Sequence, residues 1–254
     1  MTMSGRSPLN TRLLFLCFLL SGFTSLLYQT IWMRLALARF GVNTSIVSTV
    51  LTVFMLGLAM GTMVAGRWTE AWERRWHLTG LELYAAAELC IAIGGWAVPT
   101  LLDRGRQWLL SLGAMSSLSY TIASALVIGA TLWPFCLAMG ATVPTALSFL
   151  KRSTSHDRTY TFSFLYLANV VGAVLGVLGT ALVLIEALGF RRSETVGVGL
   201  NICTAAIALL VAPATGRMGS VTALTDDRPV NEFFFLRRYV WKRLMGDSNE
   251  LAVH

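Results

Sequence analysis

Uncharged runs extend over 13–33, 40–66, 107–150, 159–185 and 195–216. A sixth stretch, 78–102, is equally apolar but holds Glu82 and Glu88. A helix that crosses a bilayer needs roughly 20 apolar residues. Five of these stretches fit one helix each, while 107–150 is too long for one helix and barely enough for a tight pair. No polar turn interrupts it, which favours a single span at its C-terminal side. The segment 104–116 then reads as a short helix in the interface, where Trp108, Arg104 and Arg106 are at home. The pattern predicts an all-α, polytopic membrane protein of six transmembrane helices, near 13–38, 43–66, 79–102, 118–149, 159–187 and 193–213. A seven-span reading would split 107–150.

Composition sharpens the class. Hydrophobic types make up 55% of the 254 residues and charged types 13%. A soluble domain is about a quarter charged, so a soluble enzyme is not expected, and disorder is excluded. The first apolar run is longer than a signal-peptide core, and Tyr28, Trp32 and Arg34 follow it where a small-residue cleavage site would stand. It is expected to be a retained helix. The net charge of +7 then reflects basic loops rather than affinity for nucleic acid.

With six spans, one side receives Arg6, Arg12, Arg67, Arg74, Arg75, Lys151, Arg152, Arg158, Arg217, Arg228, Arg237, Arg238, Lys242 and Arg243. The other receives Arg34, Arg39, Arg104, Arg106, Arg191 and Arg192. This excess places both termini in the cytoplasm. The organisation is a cytoplasmic N-terminus (1–12), a transmembrane domain (13–213) and a cytoplasmic tail (214–254).

Soluble chemistry is poorly represented. Cys17, Cys90, Cys136 and Cys203 all fall in predicted spans and form no C-x-x-C pair, so they read as small hydrophobes. His77, His156 and His254 have no metal-ligand spacing. Gly172, Gly176 and Gly179 do not match the dinucleotide fingerprint. With Gly57 and Gly61 they suit close helix packing. No cofactor or metal is expected.

Several segments, taken in order, resemble a known family. SGFTSLLYQTIWMR (21–34), STVLTVFMLGLAMGTMVAGR (48–67), LYAAAEL (83–89), MGATVP (139–144), YLANVVGAVLG (166–176) and ALGFRR (187–192) look like the membrane domain of bacterial spermidine-synthase-like membrane proteins. Gly61, Gly66, Arg67, Arg74 and Arg75 also echo the major-facilitator loop signature, without its acidic position. The resemblance implies half of a major-facilitator-like bundle in a bacterial inner membrane. In that family a Rossmann aminopropyltransferase-like domain usually follows. The sequence up to His254 contains no counterpart of it, and Glu186 stands where the family usually has proline. The expectation is a chain without catalytic residues.

Polar residues inside spans are the remaining candidates. An ionisable group there costs at least ~2–3 kcal/mol on insertion scales and should face protein or water. Glu88 is the first, as a cation or proton site or as a packing group. Asn169 and Thr142 complete the candidate intramembrane site. Pro134 and Pro144 predict a broken fourth span, with Gly140, Thr142 and Pro144 in an unwound stretch. Glu82 and Glu186 are expected at the interfaces, and Tyr28, Trp32 and Arg34 as interfacial anchors.

The tail segment 230–245 forms an amphipathic helix when plotted at 100° per residue. Phe233, Phe234 and Trp241 fall on its apolar face, and Arg238 and Lys242 on its basic face. These are candidate contacts with lipid or with a protein partner. Three functions follow: a non-catalytic subunit that anchors a separately encoded partner, a small-solute or polyamine carrier working as a dimer of six-helix units, or the membrane part of an aminopropyltransferase-like enzyme. The expected partners are the bilayer and a protein or second copy, not nucleic acid.

Overall fold

The computed structural model of the chain describes residues 8–151 and 158–216. Helices account for nearly all of them: α1 (Pro8–Phe40), α2 (Thr44–Trp76), α3 (Gly80–Ser111), α4 (Ser117–Lys151), α5 (Arg158–Gly179), a π-helical turn (Thr180–Leu184) and α6 (Ile185–Gly216). Five helical stretches are long and apolar enough to cross a membrane: Arg12–Phe40, Thr44–Trp76, Gly80–Ser111, Ser117–Phe149 and Ser163–Ala212. The protein is all-helical among the described residues, as the apolar runs predict.

The fifth stretch is 50 residues long. At 1.5 Å per residue it would measure about 75 Å if straight, more than twice the hydrocarbon thickness. It is not straight. Gly189 has φ 75° and ψ 173°, a conformation open to glycine and strained for other residues. On one side of it, Gly172 packs against the Leu19 backbone of α1. On the other, the Thr204 carbonyl lies 4.0 Å from the Cys17 sulfur, only two residues away on α1. The chain therefore doubles back at Gly189.

The helices end where local chemistry ends them. Asn43 caps α2, its side chain accepting the Ile46 N–H at 2.8 Å. Thr79 and Glu82 form a reciprocal capping box at the start of α3. Two sequence expectations are corrected. The segment 104–116 is not a separate interfacial helix: α3 continues to Ser111 with Leu102 and Leu109 buried, and the turn comes at Gly113, where φ is 81°. The fourth span is not unwound, because α4 runs unbroken through Pro134 and Pro144. Pro144 cannot donate to the Gly140 carbonyl one turn back, and the Thr62 hydroxyl of α2 donates to it instead, at 2.9 Å.

Close packing rests on glycine, as expected for helices in lipid. Gly57 and Gly61 of α2 meet the Cys136 and Leu137 positions of α4, and Gly140 of α4 meets the Leu58 backbone in return. Gly22, Gly172 and Gly176 join α1 to α5 in the same way. Gly179 is looser, since a methyl there would only touch the Phe23 ring at 3.7 Å. The two alanine variants Gly172→Ala and Gly199→Ala both add the same helix propensity, about 1 kcal/mol. A methyl at 172 would sit 2.8 Å from the Leu19 carbonyl carbon, whereas Gly199 has nothing within 4 Å. Thermal unfolding in detergent should show Gly172→Ala destabilised by about 1–3 kcal/mol through overpacking and Gly199→Ala unchanged or stabilised.

Candidate functional site

α1 is the helix around which the polar interior is built. It runs alongside α3 in the same direction: the Tyr84 hydroxyl donates to the Cys17 carbonyl at 3.2 Å, Tyr28 lies against Gly95, and Arg39 pairs with Asp103. It runs against α6 in the opposite direction, from Cys17 beside Thr204 to Leu27 and Tyr28 beside Gly197. These contacts set the level of every polar residue between the three helices.

Glu88 lies in this interior with 0% exposure. Ser21 of α1 and Tyr84, one turn back on α3, are the polar side chains that face its carboxyl group. Neither carboxyl oxygen is in a fully aligned hydrogen bond, although the Ser21 and Tyr84 hydroxyls lie within reach of the group. Asn201 of α6 is also fully buried, and both its amide atoms lack a partner. It sits between the Thr204 and Gly197 contacts, which puts it level with Ser21 and Thr24 of α1. Ser21, Glu88 and Asn201 therefore form one layer across α1, α3 and α6. A buried carboxyl and a buried amide without partners together cost several kcal/mol. An ionisable group at this depth is a candidate for a functional site.

One to two turns further along α1, Tyr28 and Trp32 stack with ring centroids 5.1 Å apart, and Trp32 tilts onto Phe135 of α4. Both rings are fully buried. This corrects the expectation that they anchor the protein at the interface. The glycines opposite, Gly95 and Gly197, leave the space that the Tyr28 ring fills. Only Arg34 of that trio is exposed.

Beyond the aromatic pair the bundle opens into a pocket of about 470 Å³ between α1, α3 and α6. Arg39, Asp103, Glu194, Arg191, Trp96 and Phe190 line it. Arg39 grips Asp103 with two nitrogens, the Nη2 contact being 2.9 Å. Glu194 is 7% exposed, and its Oε1 is buried with no hydrogen-bond partner.

The sequence candidates separate. Glu88 is in the interior layer. Asn169, on α5, is half-buried against Gly22 of α1, the residue next to the Ser21 that faces Glu88. Thr142 is buried on α4, and its hydroxyl donates to the Met139 carbonyl of its own helix at 2.7 Å. Glu82 is a helix cap, and Glu186 is exposed. Phe233, Phe234, Arg238, Trp241 and Lys242 lie outside the described residues. Sequence reasoning missed Glu194 and Asn201. Both fall on one helical stripe with Gly197, Thr204 and Ala208, all of them buried, and reading 193–213 at the helical period would have exposed that stripe.

No family model, curated protein or solved structure matches the chain. What the fold defines is a class: among the described residues, an all-helical protein with five helices able to cross a membrane and polar groups enclosed among them.

The Tyr28 hydroxyl is buried and has no partner. Tyr28→Phe removes it at constant shape and should leave the unfolding temperature unchanged or raised, since an unpaired buried hydroxyl costs about 1–3 kcal/mol. A clear drop in thermal unfolding measurements would mean that the hydroxyl is bonded.

Proposed function

We propose that the chain is a multi-pass membrane protein of six crossings, with both termini cytoplasmic, that works as a cation-binding carrier of small solutes assembled from two six-helix units. The observation that carries this reading is the layer of Glu88, Asn201 and Ser21. A buried carboxyl facing the Ser21 hydroxyl, with the Asn201 amide at the same level of the bundle, offers oxygen ligands of the kind a hard monovalent cation takes. The reversal at Gly189 supports the sixth crossing, because it returns 190–216 along α1. The excess of Lys and Arg on the side of the termini supports the orientation. One six-helix unit is half of what a transporter of the major-facilitator type uses, hence the dimer.

A second reading is a non-catalytic subunit that anchors a separately encoded protein. The basic and aromatic stretch 230–245 favours it. Copurification separates the two: a lone homodimer supports the carrier, and a stoichiometric heteromer supports the anchor. No aminopropyl-transfer chemistry is assigned to either.

Two measurements test the reading. Reporter fusions at residue 254 and in the turn at Gly113 should report opposite sides of the membrane, and finding both on one side would sink the six-crossing topology. The purified protein should unfold at a higher temperature in sodium chloride than in choline chloride of equal ionic strength. A ligand at a hundred times its Kd adds about 2.7 kcal/mol. Glu88→Gln keeps shape and removes charge, so it should fold and lose that sodium response. An undiminished response in Glu88→Gln would leave the carboxylate with a packing role only.

A further inference from the structure

We propose that the pocket at the Gly189 end of the bundle binds a small solute through a primary ammonium group, with Glu194 as the acceptor. This site is separate from the Glu88 layer and does not depend on anything binding there.

The charges around the pocket are not equivalent. Arg39 and Asp103 satisfy each other at the rim, where Asp103 is half-exposed. Arg39 and Arg191 act on Glu194 through space, without a hydrogen bond to its enclosed Oε1. Glu194 is thus a carboxylate more than nine-tenths buried that lines the cavity and is not engaged by a hydrogen bond at Oε1. A buried carboxylate is stabilised by a donor that also carries positive charge. An ammonium group supplies both, with three N–H bonds to direct.

Size and walls narrow the class further. A bare inorganic ion would leave most of about 470 Å³ unfilled, whereas this volume lies in the range of small organic ligands. Trp96 and Phe190 supply apolar and aromatic surface for the body of such a solute, and a cation near their faces gains further attraction. Thr100 is exposed and also lines the pocket.

The test uses the full chain in phosphatidylcholine nanodiscs, in a sodium-free potassium buffer, with n-butylammonium as the probe. Ligand-observed NMR should show saturable binding of n-butylammonium that neither 1-butanol nor butyrate displaces. Glu194→Gln should weaken it about tenfold or more, the loss of one charge-assisted hydrogen bond. Glu186→Gln, exposed and outside the pocket, should bind as the wild type does. Thr100→Trp adds bulk at an exposed position and should block binding while leaving every charge in place. Equal binding of 1-butanol would show an apolar cavity only and overturn the proposal. Unchanged affinity in Glu194→Gln would do the same. If Glu194→Gln does not fold, Thr100→Trp decides, and retained binding there overturns the assignment. The assay involves neither transport nor sodium, so its failure is distinguishable from failure of the carrier reading.

Discussion

Hydrocarbon offers no water to replace a missing hydrogen bond, and most features of this chain answer that constraint. The Gly140 carbonyl, left without its usual donor by Pro144, takes the Thr62 hydroxyl of the neighbouring helix. Thr24, Thr30, Thr49, Thr121 and Thr145 each donate to a carbonyl one turn back on their own helix. These hydroxyls are satisfied within their own helices, which can then pack by shape. Glycine makes the shape: at Gly57, Gly61 and Gly140 the backbones of α2 and α4 come together, and at Gly22, Gly172 and Gly176 those of α1 and α5 do.

Against that background, the groups that escape the rule stand out by place. Glu88, Asn201, Tyr28, Trp32, Glu194, Ser124 and Thr180 all have buried polar atoms without partners. Five of these seven are on α1, α3 and α6, the three helices that meet around the polar interior, while Ser124 is on α4 and Thr180 in the π-helical turn. The α2–α4 seam combines glycine contacts with hydrogen bonds, Thr62 to the Gly140 carbonyl and Ser148 to Glu73, and the α1–α5 seam rests on glycine against backbone. Most of the unpaired polarity is instead held between α1, α3 and α6.

Much of the helical architecture was legible from the apolar runs, since length and hydropathy are what a bilayer selects. Glu88 was legible for the same reason: a charge in the middle of an apolar run is conspicuous. Glu194 was passed over although the predicted span 193–213 contains it, because it stands at the charged end of that span beside Arg191 and Arg192. The turn at Gly189 falls in the predicted connection, and Glu194 lies inside the following helix. Pro144 misled in the other direction. A proline in a span reads as a break until the neighbouring helix is known to supply the replacement donor, and Thr62 is 82 residues away in sequence. The end of the third span was misjudged because polarity was taken as a stop signal. Asp103 and Arg106 interrupt the apolar run, yet nothing before Gly113 ends the helix.

The interior layer and the pocket are joined by one face of one helix. Ser21, Tyr28, Trp32 and Arg39 follow one another on α1 at spacings that keep them on the same side. Ser21 faces Glu88, and Arg39 faces the pocket. Between them the stacked Tyr28 and Trp32 rings fill the space that Gly95 and Gly197 leave open. A solute in the pocket is therefore separated from the Glu88 layer by two aromatic rings. Any route between the two requires those rings to turn or α1 to shift against α6. The contact that holds α1 there is made of glycine and ring faces, without a hydrogen bond to the Tyr28 hydroxyl. A seam of that kind resists compression but carries no directional bond that sliding would break.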